Sequence, residues 1–219
     1  MTVDYYSEPE PFEVKCKING FKLSRSRPRC FEQVDPKKLK KPDSDGRTYL
    51  PEYDCPKIHR EFCELGPSAE SFLSFINQYG SIFTISTGIT FPEKENVSHY
   101  LHEQGSLKKV LSFVDAGQKA KAIEFYNHHV ALNVNYRMHL SAIKDDKFEQ
   151  LLFPTNLLSF MWLKTLDEIT GKENWRQCRN CPEWFSIAKS SKIRRGGTKR
   201  KRYCSDVCRV DWCRKGKST

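Results

Sequence analysis

The spacing of apolar residues along the chain predicts a mainly helical protein. Phe72, Phe75, Ile76 and Tyr79 recur at the three- and four-residue intervals of one helix face, and Gly80 follows them as a stop signal. The same periodicity predicts further helices at residues 56–65, 97–116, 119–143 and 155–169. In the last of these, Thr155 is the predicted N-cap and Gly171 the predicted C-terminal stop. Together these segments carry enough apolar residues for a core.

Alternation of apolar and polar residues predicts a small β region near the N-terminus. Residues 12–18 alternate, Asn19-Gly20 is a favoured turn pair, and residues 21–23 continue the pattern, so a hairpin is expected. Residues 81–87 are expected to form a strand or the extended start of a loop, and residues 35–47 a turn-rich loop.

Composition excludes a disordered chain and a membrane-spanning one. Hydrophobic residues make up 38% of the 219 residues and aromatic residues 12%, which is too aromatic for a disordered protein. No apolar run approaches the roughly 18 residues that a membrane span needs. The N-terminal residues also lack the apolar segment of a secretory signal. We therefore expect a cytoplasmic protein without a membrane partner.

The formal net charge of +10 is concentrated at one end of the chain. Residues 172–219 contain 15 Lys and Arg against 4 Asp and Glu, whereas residues 1–171 are close to neutral. This asymmetry predicts three segments: an irregular, β-containing segment at residues 1–55, a helical domain at 56–171, and a basic module at 172–219 that binds a polyanion.

Cysteine spacing predicts a metal site in the basic module. The chain has nine cysteines, an odd number that argues against a disulfide framework. Cys178 and Cys181 form a Cys-x-x-Cys pair, and Cys204 and Cys208 lie four residues apart on one predicted helix face. Four thiolates without a carboxylate or histidine favour one closed, structural zinc site. Cys213 is expected to be a packing thiol rather than a ligand.

The order of predicted elements in the module is typical of a treble-clef zinc finger. The Cys-x-x-Cys knuckle precedes a strand at residues 184–187, which is expected to pair with residues 199–203 as a hairpin. Ser205 and Asp206 then favour a helix start that delivers the second cysteine pair. The aromatic residues are expected to form the small core of this finger, with Trp184 or Phe185 filling it.

The pattern of Cys-x-x-Cys, an aromatic pair, a basic turn and Tyr-Cys-Ser-x-x-Cys-Arg resembles the C-terminal finger of bacterial CGNR-type zinc-finger proteins. The matching positions are Cys178, Cys181, Cys204 and Cys208, and Cys208 is followed by Arg-Val-Asp instead of the Gly-Asn-Arg signature. The resemblance implies a helical sensing or dimerisation domain joined to a finger in a DNA-binding transcription regulator.

Basic side chains around the predicted hairpin tip and last helix are the expected nucleic-acid contacts. Held by a metal site, they would face phosphates, which gives affinity for DNA without sequence preference. They are Arg194, Arg195, Lys199, Arg200, Lys201, Arg202, Arg209, Arg214 and Lys215.

Two other classes of function stay open on sequence grounds. The finger could dock a protein partner, as in a toxin–antitoxin or phage-defence pair, or a second copy of the chain. Alternatively, the helical domain could be an enzyme that the finger anchors to nucleic acid. The chain has no nucleophile elbow, phosphate loop or His-Glu-x-x-His motif, which favours a protein without catalytic activity.

The body carries weaker signals. Cys55, His59 and Cys63 share a helix face and could form a second metal site together with Cys16 or Cys30, although buried thiols commonly act as small hydrophobes. His128, His129 and His139 fall in a predicted helix, where surface or hydrogen-bonded histidines are expected.

Overall fold

The chain is mainly helical across the residues that the computed structural model describes, which are 14–16, 21–23, 30–33, 47–83, 94–133, 136–143, 147–187 and 202–215. The helices within these residues are α1 (Pro51–Asp54), α2 (Ile58–Glu64), α3 (Ala69–Tyr79), α4 (Val97–Asp115), α5 (Lys119–Asn133), α6 (Leu157–Thr170) and α7 (Asp206–Lys215). The strands are β1 (Val14–Cys16), β2 (Phe21–Leu23), β3 (Cys30–Gln33), β4 (Arg47–Tyr49), β5 (Lys94–Asn96), β6 (Tyr136–Ile143), β7 (Lys147–Pro154), β8 (Trp175–Gln177) and β9 (Trp184–Ser186).

The N-terminal strands exist, but the predicted hairpin between the first two is wrong. β1 pairs antiparallel with β4, whereas β2 pairs with β3 and belongs to a three-stranded sheet in the order β2-β3-β5. Short strands gain stability from their cross-strand neighbours, and a local turn signal does not choose those neighbours. Residues 84–87 and most of the predicted loop at 35–47 lie outside the described residues, and Ser81 to Phe83 form no strand.

The hydrophobic core lies between α2, α3, α4 and α6. Phe62 of α2 packs against Phe72 of α3 with ring centroids 6.0 Å apart, and Phe72 packs against Tyr100 of α4 at 5.7 Å. These three side chains and Trp162 of α6 are fully buried. The predicted helices at residues 56–65 and 97–116, and the helix predicted from the apolar stripe that ends before Gly80, are therefore confirmed within a few residues of their expected ends.

Local capping signals explain where α6 begins and ends. The Asn156 side chain accepts a hydrogen bond from the Ser159 backbone N–H, and the Ser159 hydroxyl accepts one from the Asn156 N–H. Asn156 is thus the N-cap, one residue later than the predicted Thr155. Gly171 ends the helix at a φ of 72°, in the left-handed region where glycine has no Cβ penalty, as expected.

The predicted helix at residues 119–143 is half right. α5 ends at Asn133, and β6 then pairs antiparallel with β7 from Tyr136 opposite Pro154 to Ile143 opposite Lys147. Residues 136–141 alternate between apolar and polar types, which is the two-residue period of a strand. His139 therefore lies on a strand, in contrast to the prediction.

Among the described residues, none of the helices combines the length and apolar character needed to cross a membrane.

Candidate metal centre

A two-stranded hairpin positions the first cysteine pair. β8 pairs antiparallel with β9, so that Gln177 lies opposite Trp184 and the knuckle from Cys178 to Cys181 forms the turn between them. The Cys178 N–H donates to the Glu183 carbonyl at 2.9 Å, which closes the turn. The predicted partner of β9 was the segment at residues 199–203. Its residues 199–201 lie outside the described part of the chain, and Arg202 and Tyr203 form no strand.

The start of α7 delivers the second cysteine pair. Cys204 precedes the helix, and the Ser205 hydroxyl accepts a hydrogen bond from the Cys208 N–H at 3.2 Å, as an N-cap side chain does. The Arg179 N–H of the knuckle donates to the Arg202 carbonyl at 3.1 Å, which holds the incoming chain beside the first pair.

The four sulfurs converge on one point. The Sγ–Sγ distance is 3.6 Å between Cys181 and Cys204, 3.5 Å between Cys204 and Cys208, and 3.7 Å between Cys208 and Cys181. With Cys178 included, all four ligand atoms lie within 4.8 Å of one another. A tetrahedral ion with metal–sulfur bonds of about 2.3 Å places its sulfurs about 3.8 Å apart. The cysteines therefore fit a single metal ion.

Backbone N–H groups stabilise the thiolate form of Cys178. The N–H groups of Cys204 and Asn180 donate to Sγ of Cys178 at 3.4 and 3.5 Å. Burial raises the pKa of the Cys178 thiol, but these hydrogen bonds outweigh burial and lower the pKa to about 6. The thiolate is the form that binds metal.

The finger has almost no core of its own. In the described part of residues 172–219, Cys178 is the single buried residue, and α7 buries none. Trp184 and Phe185, the two expected core residues, are each only half-buried, and the Arg60 guanidinium of the helical domain lies 4.5 Å above the Trp184 ring. Cys213 is exposed and outside the cluster, so the prediction that it packs on the helix is wrong.

The predicted nucleic-acid contacts are only partly described. Arg194, Arg195, Lys199, Arg200 and Lys201 lie outside the described residues. Arg202, Arg209, Arg214 and Lys215 are all exposed. Arg209 donates to Asp206 of α7 at 3.2 Å, and Lys215 donates to Asn180 of the knuckle at 3.3 Å. Both cations therefore contact the segments that carry the cysteines.

Contacts cross from the finger to the helical domain. Trp184 Nε1 donates to Glu64 Oε1 at 2.6 Å, and Lys57 Nζ donates to Glu183 Oε2 at 2.6 Å. Lys164 of α6 also forms an ion pair with Glu173. The expected boundary between residues 171 and 172 stays a prediction, and these contacts lie across it.

A buried ionic network, centred on Glu168, lies in the helical domain next to these contacts with the finger. Glu168 of α6 accepts from Nε2 of His59 at 2.6 Å and from Arg60, whose guanidinium also makes a two-pronged contact with Asp115 at 2.8 and 2.9 Å. Burial raises the Glu168 pKa, but the His59 and Arg60 hydrogen bonds outweigh it and lower that pKa. Burial lowers the pKa of His59, which holds the imidazole neutral.

This network argues against the second metal site that the sequence left open at Cys55, His59 and Cys63. His59 is engaged by Glu168, and burial raises the pKa of the Cys63 thiol to about 12, which disfavours the thiolate. The three residues are not among the metal-compatible groups of the described residues. Sequence reasoning missed Glu168 and Asp115, because their partners lie 108 and 55 residues away.

A cleft of about 760 Å³ lies between the hairpin of the finger and the helical domain, beside their direct contacts. Its walls combine the turn after α4, the end of α6, and β8 with β9. Its lining includes Asp115, Lys119, Glu168, Glu173, Trp175 and Trp184.

In comparisons with known proteins, the sequence matches no family model and no curated protein. Three features of the molecule bear on its function: the four-cysteine centre, the exposed cations beside it, and the cleft.

Proposed function

We propose that the chain is a nucleic-acid-binding protein whose C-terminal finger is organised by one structural zinc ion. The observation that carries the proposal is the convergence of four cysteine sulfurs beside exposed basic side chains. An all-sulfur donor set with tetrahedral separations suits Zn²⁺, and four protein ligands fill its coordination sphere, which leaves no position for a catalytic water. A knuckle followed by a helix carrying the last ligand agrees with a treble-clef finger.

DNA is the proposed partner, in a transcription regulator of bacterial type. The net charge of residues 172–219 supports phosphate contact, because Lys and Arg that neutralise phosphates release counterions and so provide affinity. Arg202 lies two residues before Cys204, and Lys215 donates to Asn180 of the knuckle, so the metal would fix where these cations lie.

The cleft supports the sensing role proposed for the helical domain. A small molecule held there would touch the finger through Trp175 and the helical domain through Glu168. A ligand bound in the cleft would therefore change the strength of the contact between the finger and the helical domain. The same cleft keeps an enzymatic function as the second candidate, since carboxylates and indoles share its walls.

The test is binding of the full chain to duplex DNA before and after charge reversal of Arg202, Arg209 and Lys215. Loss of binding with unchanged metal content supports the proposal. Retained binding would contradict it, and capture of a protein partner by the charge-reversed finger would favour the protein-interaction hypothesis.

A further inference from the structure

A buried carboxylate and two imidazoles meet between α4 and α5, away from the cysteine centre. Ligand atoms of His102, Glu103 and His129 all lie within 4.8 Å of one another. Glu103 and His129 are buried and His102 is exposed, so the cluster reaches from the protein interior to solvent. We propose that these three residues form a second metal site, which takes a divalent first-row transition ion such as Zn²⁺.

The donor set is one that such ions accept. Two histidines and one carboxylate, with solvent completing the coordination, form a recurrent site for divalent zinc and iron. Nε2 of His129 lies 3.0 Å from Oε2 of Glu103. Two ligands bound at about 2.0–2.2 Å to one ion lie about 3 Å apart when they subtend a right angle and about 3.4 Å apart at the tetrahedral angle that zinc prefers. This pair therefore needs little movement to share an ion, and exposed His102 leaves the outer positions to water.

Neighbouring rings hold the two buried ligands in place. Trp162 Nε1 donates to Oε2 of Glu103 at 3.3 Å, and the Trp162 ring stacks on His129 with centroids 4.6 Å apart. The Phe125 ring is nearly parallel to His129 at 6.3 Å. Hydrogen bonds and packing of this kind orient metal-ligating carboxylates and imidazoles and raise affinity.

The contrast with Glu168 shows what the second site lacks without an ion. Glu168, equally buried, is met by the Arg60 guanidinium, whereas Glu103 is met, among the described residues, by the Trp162 indole and the His129 imidazole. A buried carboxylate is costly without a compensating cation. Nε2 of His129 binds the ion through its lone pair, so a proton carried by this nitrogen moves to Nδ1 or to solvent when the ion binds.

The test counts metal in the full chain by equilibrium dialysis against buffered Zn²⁺. His102→Ala removes an exposed ligand without opening the core, and His128→Ala is the matched control, since His128 is an exposed neighbour of His129. If both centres bind, the wild type and His128→Ala should hold about two zinc ions per chain and His102→Ala about one. Equal metal content in the two histidine variants would overturn the proposal.

A cysteine variant separates this site from the cysteine centre. In a Cys204→Ser background, His102→Ala should still remove one zinc relative to His128→Ala, whatever becomes of the finger. With Co²⁺ as the probe, the equivalent lost with His102 should carry no sulfur-to-cobalt charge-transfer band, because its ligands are nitrogen and oxygen. Loss of that band on His102→Ala would also contradict the assignment.

Discussion

The indole Nε1 of Trp184 donates a 2.6 Å hydrogen bond to Oε1 of Glu64, joining the second strand of the finger to α2 across 120 residues of sequence. Arg60, one helical turn before Glu64, covers the face of the same indole at 4.5 Å. One aromatic side chain of the finger is thus fixed at its edge and on its face by the helical domain.

Breaking this contact should loosen the finger without unfolding the helical domain. Trp184→Phe removes the N–H, keeps a ring under Arg60, and should cost about 1 kcal/mol of stability. Glu64→Gln should cost a similar amount. Because the two groups touch, the effects in the double variant should fall short of additive.

The measurement is urea unfolding of the full chain for both single variants and the double variant. Glu124→Gln, an exposed carboxylate change on α5, is the control and should lie within about 0.5 kcal/mol of wild type. Fully additive effects would mean that the indole and the carboxylate do not interact.

Metal removal should melt α7 and spare α4. α7 buries no residue, so its order depends on the ligands at its start, whereas α4 contributes Tyr100 and Leu107 to the core. Cys208→Ser should raise hydrogen exchange of the α7 amides to that of an unfolded segment and remove one metal ion. Cys213→Ser is the matched control on the same helix, and it should change neither, because this thiol is exposed and outside the cluster. Protected α7 amides in the Cys208 variant would contradict a metal-dependent finger.

Affinity for duplex DNA should fall with salt. If about five of the basic groups in residues 172–219 reach phosphates, log K should fall against log salt with a slope of about −4.5. Arg200→Ala with Arg202→Ala should make that slope shallower and weaken binding to all sequences alike. Cys204→Ser should weaken binding more, because it disorders the helix that carries Arg209 and Lys215. A cysteine variant with wild-type affinity and slope would leave a disordered basic tail as the binding element.

Two ion pairs at α2, Arg60–Glu168 on the helix and Lys57–Glu183 at its N-cap, should differ sharply in their effect on stability. Arg60→Met leaves Glu168 buried without a guanidinium and should destabilise the protein by about 3–5 kcal/mol. Lys57→Met removes an ion pair whose carboxylate, Glu183, is 61% exposed, and should cost no more than about 1 kcal/mol. Thermal or urea unfolding measures both, and similar losses would contradict the buried network.

Acid should destabilise the protein from just below neutral pH. Burial lowers the folded-state pKa of His59 below its ordinary value of 6.5, so the unfolded chain takes up a proton first as the pH falls. The stability from neutral His59 is therefore complete above pH 6.5 and is lost below it. Glu168, whose pKa is also lowered in the folded state, adds a loss below about its ordinary value of 4.5.

His59→Gln should flatten the pH dependence between pH 6.5 and 5 in urea unfolding. Metal release in acid affects both proteins, so the difference between the variant and wild type isolates the histidine. An unchanged dependence would mean that His59 binds the same number of protons in the folded and unfolded states.

Features carried by neighbouring residues were predictable from the sequence. The Cys-x-x-Cys knuckle, the four-residue spacing of Cys204 and Cys208, and the stop at Gly171 are local signals, because a tight turn or one helical turn is enough to bring the groups together. The charge of residues 172–219 is a sum over the sequence and needs no fold. The apolar stripe of α3 likewise identified its buried face.

Only the tertiary structure decided which distant groups meet. Glu168 with His59 and Arg60, Glu64 with Trp184, and Glu103 with His129 are pairs from separate elements, and each residue alone looks like an ordinary helix or strand position. The pairing of β1 with β4 and the change from helix to strand at Tyr136 have the same origin. Local propensities differ by less than about 1 kcal/mol per residue, so burial and strand pairing across the chain outweigh them.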